Sequence, residues 1–276
     1  METVHLDSWT EFPKAIAEIR ADYGMRTRRI PGLEPIHLGN NILFRGHADS
    51  TWRLETTLER ASTRKYTPQK YFRCVDRQIN ELESTTGKRW GLPSIQEIDR
   101  DIEEKQDFMR CYLPHYDLLA YLRQHGFPSP LLDWTASPYV AAYFALEGVS
   151  EAEHCSVFAF IEMPDGMKSG GDDMPNMIRT IGPYVTTDPR HFLQKSQYTI
   201  STNWDRHSKT HTFCSHHDVS EAFEEQDVLI KITIPRSDRA KALQQLDEFN
   251  INHYTLFHSE DALIHALGLR AVLVDA

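Results

Sequence analysis

The chain has 276 residues, and its 30 Lys and Arg against 40 Asp and Glu give a formal net charge of −10. This acidic balance argues against a general nucleic-acid binder, which is usually basic, but it leaves room for a local basic groove. The four cysteines lie far apart, no apolar run approaches the roughly 18 residues of a membrane span, and the acidic N-terminus lacks an apolar h-region, so we expect a cytoplasmic protein that does not interact with membranes.

The N-terminal half is predicted to be mainly helical. Helical spacing of apolar residues predicts a helix over 8–24, and residues 64–86 and 95–125 favour two more. Proline and glycine predict a loop over 26–40, and the stretch 41–46 reads as a short strand that ends at a glycine.

The C-terminal half carries most of the predicted strands. Residues 131–134 form a short buried strand or turn, and Ser137-Pro138 is typical of an N-cap followed by proline at the first position of a helix over 139–146. Further strands are predicted at 155–162, 197–201, 227–234 and 271–274, and further helices at 239–249 and 259–267. Helices followed by strands predict an α+β fold, with a helical N-terminal half and a mixed, largely antiparallel sheet.

Two local stretches suit an anion site. Arg45 stands at the end of a predicted strand with glycine after it, so its planar fork could bind a phosphate or carboxylate; the alternative is a pair with a buried acid. The run from Asp133 through Trp134 and Thr135 to Ser137 places polar groups at a helix N-terminus, where anionic ligands bind. Alternatively, Thr135 and Ser137 merely cap the helix and Trp134 belongs to the core.

The remaining signals are weak by themselves. Gln194 precedes a predicted strand, and Ser259 before Glu260 is explained by helix capping. A histidine group lacks the HExxH pattern and a cysteine pair, so we expect exposed loop histidines and no metal; its members are His207, His211, His216 and His217, with His191 and Cys214 nearby. P-loop, GxGxxG, GxSxG and protein-kinase motifs are absent, which excludes the usual Walker-type, Rossmann and serine-hydrolase patterns.

Several ordered stretches resemble the FRG domain family. The tripeptide Phe44-Arg45-Gly46 matches the one that names the family, with Trp52 and Leu54 after it. Residues 125–138 (HGFPSPLLDWTASP) resemble its His-Gly-x-Pro-Thr-Arg-Leu-Leu-Asp-Trp-Thr-x-Ser-Pro run. The pattern continues through Ala141, Tyr143, Phe144, Ala145, Arg190, Gln194, Tyr198, Thr199, Ile200, Leu256, Phe257, Ala262 and Leu263.

The resemblance implies a single FRG-like domain over 1–276, with a core at about 40–268 and a helical insertion at about 60–125. Three positions depart from the family pattern. Ser129 stands for threonine, Pro130 for arginine, and His258 for the proline of a Leu-Phe-Pro helix entry. If the missing arginine binds a ligand elsewhere in the family, this chain must use another cation or lose that contact.

The same residues resemble, more weakly, the motif order of ADP-ribosyltransferases. That resemblance implies an ADP-ribosyltransferase-like fold with NAD as substrate. Arg45 would hold the pyrophosphate or the nicotinamide ribose, and Gln194 would orient the ribose or the acceptor. Asp133 would hold Arg45 or stabilise the oxocarbenium-like charge, with Glu260 as a second candidate. The implied catalytic residues are Arg45, Asp133 and Gln194, and the implied NAD-binding residues are Arg45, His47, Trp134, Thr135, Ser137 and Tyr143, with Trp134 or Tyr143 stacking on nicotinamide.

Three functions follow as expectations. The first is an NAD-consuming transferase or glycohydrolase that serves as a toxin or antiviral defence effector, with a protein or nucleic-acid acceptor. The second is a non-catalytic module for nucleotide or nucleic acid, because residues 53–77 are locally basic with Tyr66, Tyr71 and Phe72 between the charges. The third is another hydrolase, such as a nuclease that uses Asp133 and the clustered histidines.

Overall fold

The computed structural model describes residues 1–28, 36–39, 41–164, 176–182, 184–222 and 226–273. The strands within these ranges are β1 (Glu2–His5), β2 (Met25–Arg28), β3 (Ile36–Gly39), β4 (Ile42–His47), β5 (Leu132–Thr135), β6 (His154–Glu162), β7 (Asn176–Ile181), β8 (Ser196–Asp205), β9 (Thr210–Phe213) and β10 (Asp227–Pro235). The α-helices are α1 (Phe12–Tyr23), α2 (Thr57–Ala61), α3 (Pro68–Thr86), α4 (Ile95–Lys105), α5 (Tyr116–Gln124), α6 (Pro138–Glu147), α7 (Pro189–Leu193), α8 (His216–Ala222), α9 (Arg239–Glu248), α10 (His253–Phe257) and α11 (Glu260–Leu273).

Eight strands form one mixed sheet. Their order is β1-β10-β6-β4-β5-β8-β7, and β9 also pairs with β8. The edge strand β1 runs parallel to β10, whereas the other neighbours in this sheet are antiparallel. The predicted α+β class with a largely antiparallel sheet is therefore confirmed.

Apolar residues bury both faces of this sheet. On one face of the β10-β6-β4 half, α1, α6 and α9 contribute Phe12, Ala141 and Leu246 to a core with Val157 and Ile232 of the strands. On the opposite face a smaller cluster contains Leu43, Trp134, Phe160 and Val219. Over β8, α3, α4 and α5 form a third cluster with Phe72, Ile98, Leu118 and Tyr198. The candidate site lies where these layers meet.

A glycine sets the spacing between β4 and α6. A Cβ on Gly46 would lie 2.0 Å from the carbonyl oxygen of Ala141 and 2.7 Å from the backbone nitrogen of Ala145. Only a residue without a side chain lets the strand approach the helix backbone so closely. The alternation of the strand then places Phe44 in the core on the same face as Gly46, and Arg45 between them on the other side.

Two N-terminal predictions are wrong. The expected loop over 26–40 contains β2 and β3, which pair as an antiparallel two-stranded sheet; Pro31, Gly32 and Pro35, which motivated the loop, lie outside the described residues. The single helix over 95–125 is two helices, because α4 ends at an extended Gln106 and α5 starts after Pro114 and a left-handed His115 with φ 49°. Proline removes a backbone donor and disfavours helical backbone at the residue before it.

The predicted last strand over 271–274 is also wrong. The helix α11 continues to Leu273, and Val274 lies outside the described residues. The side chain of Val272 is exposed, so burial in a sheet does not outweigh propagation of the preceding helix. Strands β1, β7 and β9 were not predicted. Among the described residues, each of them pairs with a single neighbouring strand. Edge strands carry little hydrophobic alternation.

Candidate functional site

A cavity of about 290 Å³ lies where β4 and β5 diverge. The two strands share one register pair among the described residues, Phe44 opposite Thr135. Polar side chains of β4, α5, β5, α7 and β8 surround the cavity, and Phe144 and Phe257 form an aromatic wall. We call this cavity the Arg45 pocket; its polar lining includes Arg45, Arg123, Gln124, Asp133, Gln194 and Ser196.

Arg45 bridges the gap between the two strands. Its Nη1 donates to the backbone carbonyl of Asp133 at 2.8 Å and lies 3.7 Å from the Oδ2 of the same residue. Its Nε donates to Nε2 of His47 at 3.0 Å. The side chain is only 14% exposed, and burial lowers the pKa of Arg45 to about 10, so the guanidinium stays protonated at neutral pH.

His47 acts as a neutral partner of this arginine. Burial, followed by the neighbouring Arg45 charge, lowers the pKa of His47 to about 3. A neutral imidazole can accept the Arg45 N–H bond at Nε2, which fixes the direction of the guanidinium. The contact supports a positioning role for His47, and its direct contact with NAD stays a prediction.

Arg123 brings a second guanidinium to the same carboxylate. Its Nη2 donates to Oδ2 of Asp133, and its side chain is also 14% exposed. Two arginines therefore face one aspartate, and this local excess of positive charge suits an anionic ligand. Arg123 was not predicted as a site residue; its place in the last turn of α5, two residues before the His125-Gly126 stretch, is the signal that could have found it.

Pro130, which stands where the family pattern has arginine, does not line the Arg45 pocket. It lines a separate cavity of about 40 Å³ with Thr56, Glu59 and Arg64. The cations that face Asp133 are instead Arg45 and Arg123.

Thr135 and Gln194 tie the far side of the pocket together. Thr135 Oγ1 donates to the backbone carbonyl of Gln194 at 2.7 Å and accepts from the backbone N–H of Ser137 at 3.0 Å. The Gln194 amide donates to the backbone carbonyl of Leu256 at 3.2 Å, just before the Phe257 wall. The structure thus brings Arg45, Asp133, Thr135 and Gln194 to one cavity.

Trp134 lines the Arg45 pocket, whereas Ser137 and Tyr143 do not, and all three side chains have structural contacts. Ser137 Oγ accepts from the backbone N–H of Val140 at 3.4 Å and caps α6, as the capping alternative predicts. The indole N–H of Trp134 donates to Thr199 Oγ1 at 2.8 Å, and its ring is buried in the core. Tyr143 is buried in the α6 core and does not line the pocket. Contact of these three side chains with NAD stays a prediction.

The histidine group is not a set of exposed loop residues. His191, His211 and His216 are buried, whereas His207 is fully exposed in the turn between β8 and β9. Burial lowers the pKa of His211 and brings that of His216 to about 3. The expectation of exposed histidines is therefore wrong for His211 and His216, and the nearby His191 is buried as well. Glu260 is exposed at the start of α11 and does not line the Arg45 pocket.

The basic stretch at 53–77 is partly neutralised and its rings are partly buried. Arg53 forms an ion pair with Asp218, and Arg73 forms one with Asp99. The predicted stacking rings include Tyr71 and Phe72, which lie in the α3–α5 core, so they cannot present a face to bases; Tyr66 is half-buried.

None of the described helices is long and apolar enough to cross a bilayer. No curated protein and no solved structure matches the chain. A comparison with protein-family models matches residues 40–154 to the FRG domain. This range contains Arg45, Arg123 and Asp133, whereas Gln194 and Phe257 lie beyond it. The resemblance to the FRG domain family is therefore confirmed over residues 40–154, which are less than half of the chain.

Proposed function

We propose that the Arg45 pocket is the NAD site of an ADP-ribosyltransferase-like enzyme, which acts as a transferase or as an NAD glycohydrolase. The observation that supports this proposal most directly is the convergence of Arg45, Asp133 and Gln194 on one cavity. These three residues come from separate segments, and they are the ones to which the motif order assigns catalytic roles.

The charges and rings of the pocket fit the two chemical parts of a dinucleotide. Two buried guanidiniums can bind pyrophosphate oxygens, and charge-assisted hydrogen bonds of this type are stronger than neutral ones. Phe144 and Phe257 are partly buried, lie 6.1 Å apart between ring centroids, and offer an apolar wall to a base or to nicotinamide.

The proposed reaction breaks the bond between the ribose C1′ and the nicotinamide nitrogen. The electron pair leaves with nicotinamide, and positive charge develops on the ribose. Water or an acceptor nucleophile then bonds to C1′ and loses a proton. Asp133 supplies the carboxylate that stabilises this charge. Without ligand the carboxylate faces Arg45 and Arg123. When pyrophosphate oxygens compete for the two arginines, the negative charge of Asp133 is left to face the ribose. Gln194, an uncharged amide, orients the ribose or the acceptor.

NAD turnover tests the proposal. The chain is incubated with NAD, with and without protein and nucleic-acid acceptors, while nicotinamide release and ADP-ribose transfer are measured. Arg45→Ala should lower kcat/KM by at least about 100-fold, as loss of one charge-stabilising donor does in other enzymes. Arg53→Ala is the matched control, since Arg53 is exposed and paired with Asp218 away from the pocket. Equal activity of the two variants, or no turnover by the unaltered chain, would refute the proposal.

Asp133→Asn separates catalysis from binding. The amide has nearly the same size but no charge, so turnover should fall while NAD still raises the melting temperature.

The non-catalytic nucleotide module remains the alternative, and it predicts NAD binding that depends on Arg45 without any nicotinamide release. A toxin or antiviral effector that depletes cytoplasmic NAD is the cellular role that we propose for the active enzyme.

A further inference from the structure

Three helices bring metal-binding side chains together at the C-terminal end of α6. Glu147 ends α6, His253 begins α10, and His265 lies in the middle of α11. One ligand atom of each residue lies within 4.8 Å of the other two. His265 Nε2 is 3.2 Å from Glu147 Oε1, and His253 Nδ1 is 3.9 Å from the same oxygen.

These separations resemble those around a tetrahedral zinc ion. Zinc binds imidazole nitrogen and carboxylate oxygen at about 2.0–2.1 Å, so neighbouring ligand atoms around it lie about 3.4 Å apart. The two measured nitrogen–oxygen distances lie on either side of that value. Small side-chain rotations would therefore complete the geometry.

Neighbouring rings fix the position of the His253 imidazole. Its ring stacks on Phe257 with centroids 4.3 Å apart, and the Tyr143 hydroxyl lies 3.5 Å from its Nδ1. The His265 ring lies beside it, with centroids 4.2 Å apart, so the two imidazoles are held next to each other.

We propose that Glu147, His253 and His265 form a binding site for a divalent transition metal ion, with zinc as the best fit. Two imidazoles and a carboxylate favour zinc over calcium or magnesium, which take oxygen ligands. Three protein ligands leave a fourth position for water or a ligand group. A bound ion would join α10 and α11 to the end of α6, one aromatic ring away from the Arg45 pocket. This proposal does not depend on NAD chemistry.

Zinc titration of the full chain tests the site. After treatment with a chelator, zinc affinity is measured by competition with a chromophoric chelator, and Co²⁺ is added to record its visible spectrum. We expect one zinc per chain and the intense visible bands of tetrahedral Co²⁺. Ca²⁺ at the same concentrations should not compete.

Variants decide which residues bind the ion. His265→Ala and Glu147→Gln should each weaken zinc binding at least about 10-fold, since even loss of a group that only supports a ligand costs that much. His217→Ala is the control, because His217 faces Glu221 one turn along α8 at 3.4 Å and forms an ordinary histidine–glutamate pair. Circular dichroism confirms that each variant is folded. Absence of stoichiometric zinc, or equal zinc affinity of all three variants, would overturn the proposal and leave a simple hydrogen-bonded cluster.

Discussion

Replacement of Gly46 by alanine should strongly destabilise the protein. The new Cβ would meet the Ala141 carbonyl oxygen at 2.0 Å, and both this atom and the Ala145 nitrogen belong to helix backbone, which cannot rotate away. The helix must retreat by about 1.4 Å, the difference between 2.0 Å and the 3.4 Å at which ordinary contact begins. Overpacking costs typically about 1–3 kcal/mol, and a clash with backbone belongs at or above the upper end.

Thermal and urea unfolding measure this effect. A loss of about 3 kcal/mol corresponds to a melting temperature lower by roughly 6–12 °C for a chain of this size. Gly268→Ala is the matched control: its Cβ meets nothing within 4 Å inside α11, so it should stabilise the helix by up to about 1 kcal/mol. A Gly46→Ala protein that melts with the unaltered chain would refute the close packing of β4 on α6.

Buried polar groups give three further expected outcomes. In the folded chain the pKa of His47 and of His216 is about 3, against an ordinary value of 6.5. Between these two pH values the unfolded chain therefore binds protons that the folded chain does not. The contribution of the two neutral rings to folding stability is fully present above pH 6.5 and is lost as the pH falls toward 3. Urea unfolding should therefore give a free energy of unfolding about 2 kcal/mol lower at pH 5 than at pH 6. His216→Gln should remove about half of that difference. An unchanged pH dependence in the variant would contradict the inference that the His216 ring is neutral in the folded chain. Trp134→Phe removes the indole donor to the buried Thr199 hydroxyl, which keeps its contact with His216, so it should cost about 1 kcal/mol; an equal urea midpoint would show that this bond contributes nothing. Ser137→Ala should cost about 1 kcal/mol through loss of the α6 cap, and Ser137→Asp should restore it.

Local signals predicted the centre of the fold well. Each signal specifies its structure within a few residues: the glycine after Arg45 marks a strand end, the Ser137-Pro138 pair marks a helix cap, and the apolar run of β10 marks a strand. These features placed β4, β5, α6 and β10 correctly, because the physical cause of each lies inside its own segment.

Features that depend on distant contacts were not predictable in this way. Arg123 is an ordinary arginine near a helix end until the fold brings Asp133 to it. The burial of His211 likewise follows from the carbonyl of Asp107, which its Nε2 contacts at 2.7 Å. Both side chains are polar themselves, so the hydrophobic pattern of the sequence does not mark them as enclosed.

The position of β5 between β4 and β8 limits how this protein can be shortened. A truncated clone that stopped at residue 154 would keep both guanidiniums and Asp133, yet it would strip β5 of its β8 partner and leave only the first residue of β6. It would also delete the wall that Gln194 and Phe257 contribute. The remaining charged side chains would be open to solvent on one side, so the excised segment would not contain the pocket of the full chain.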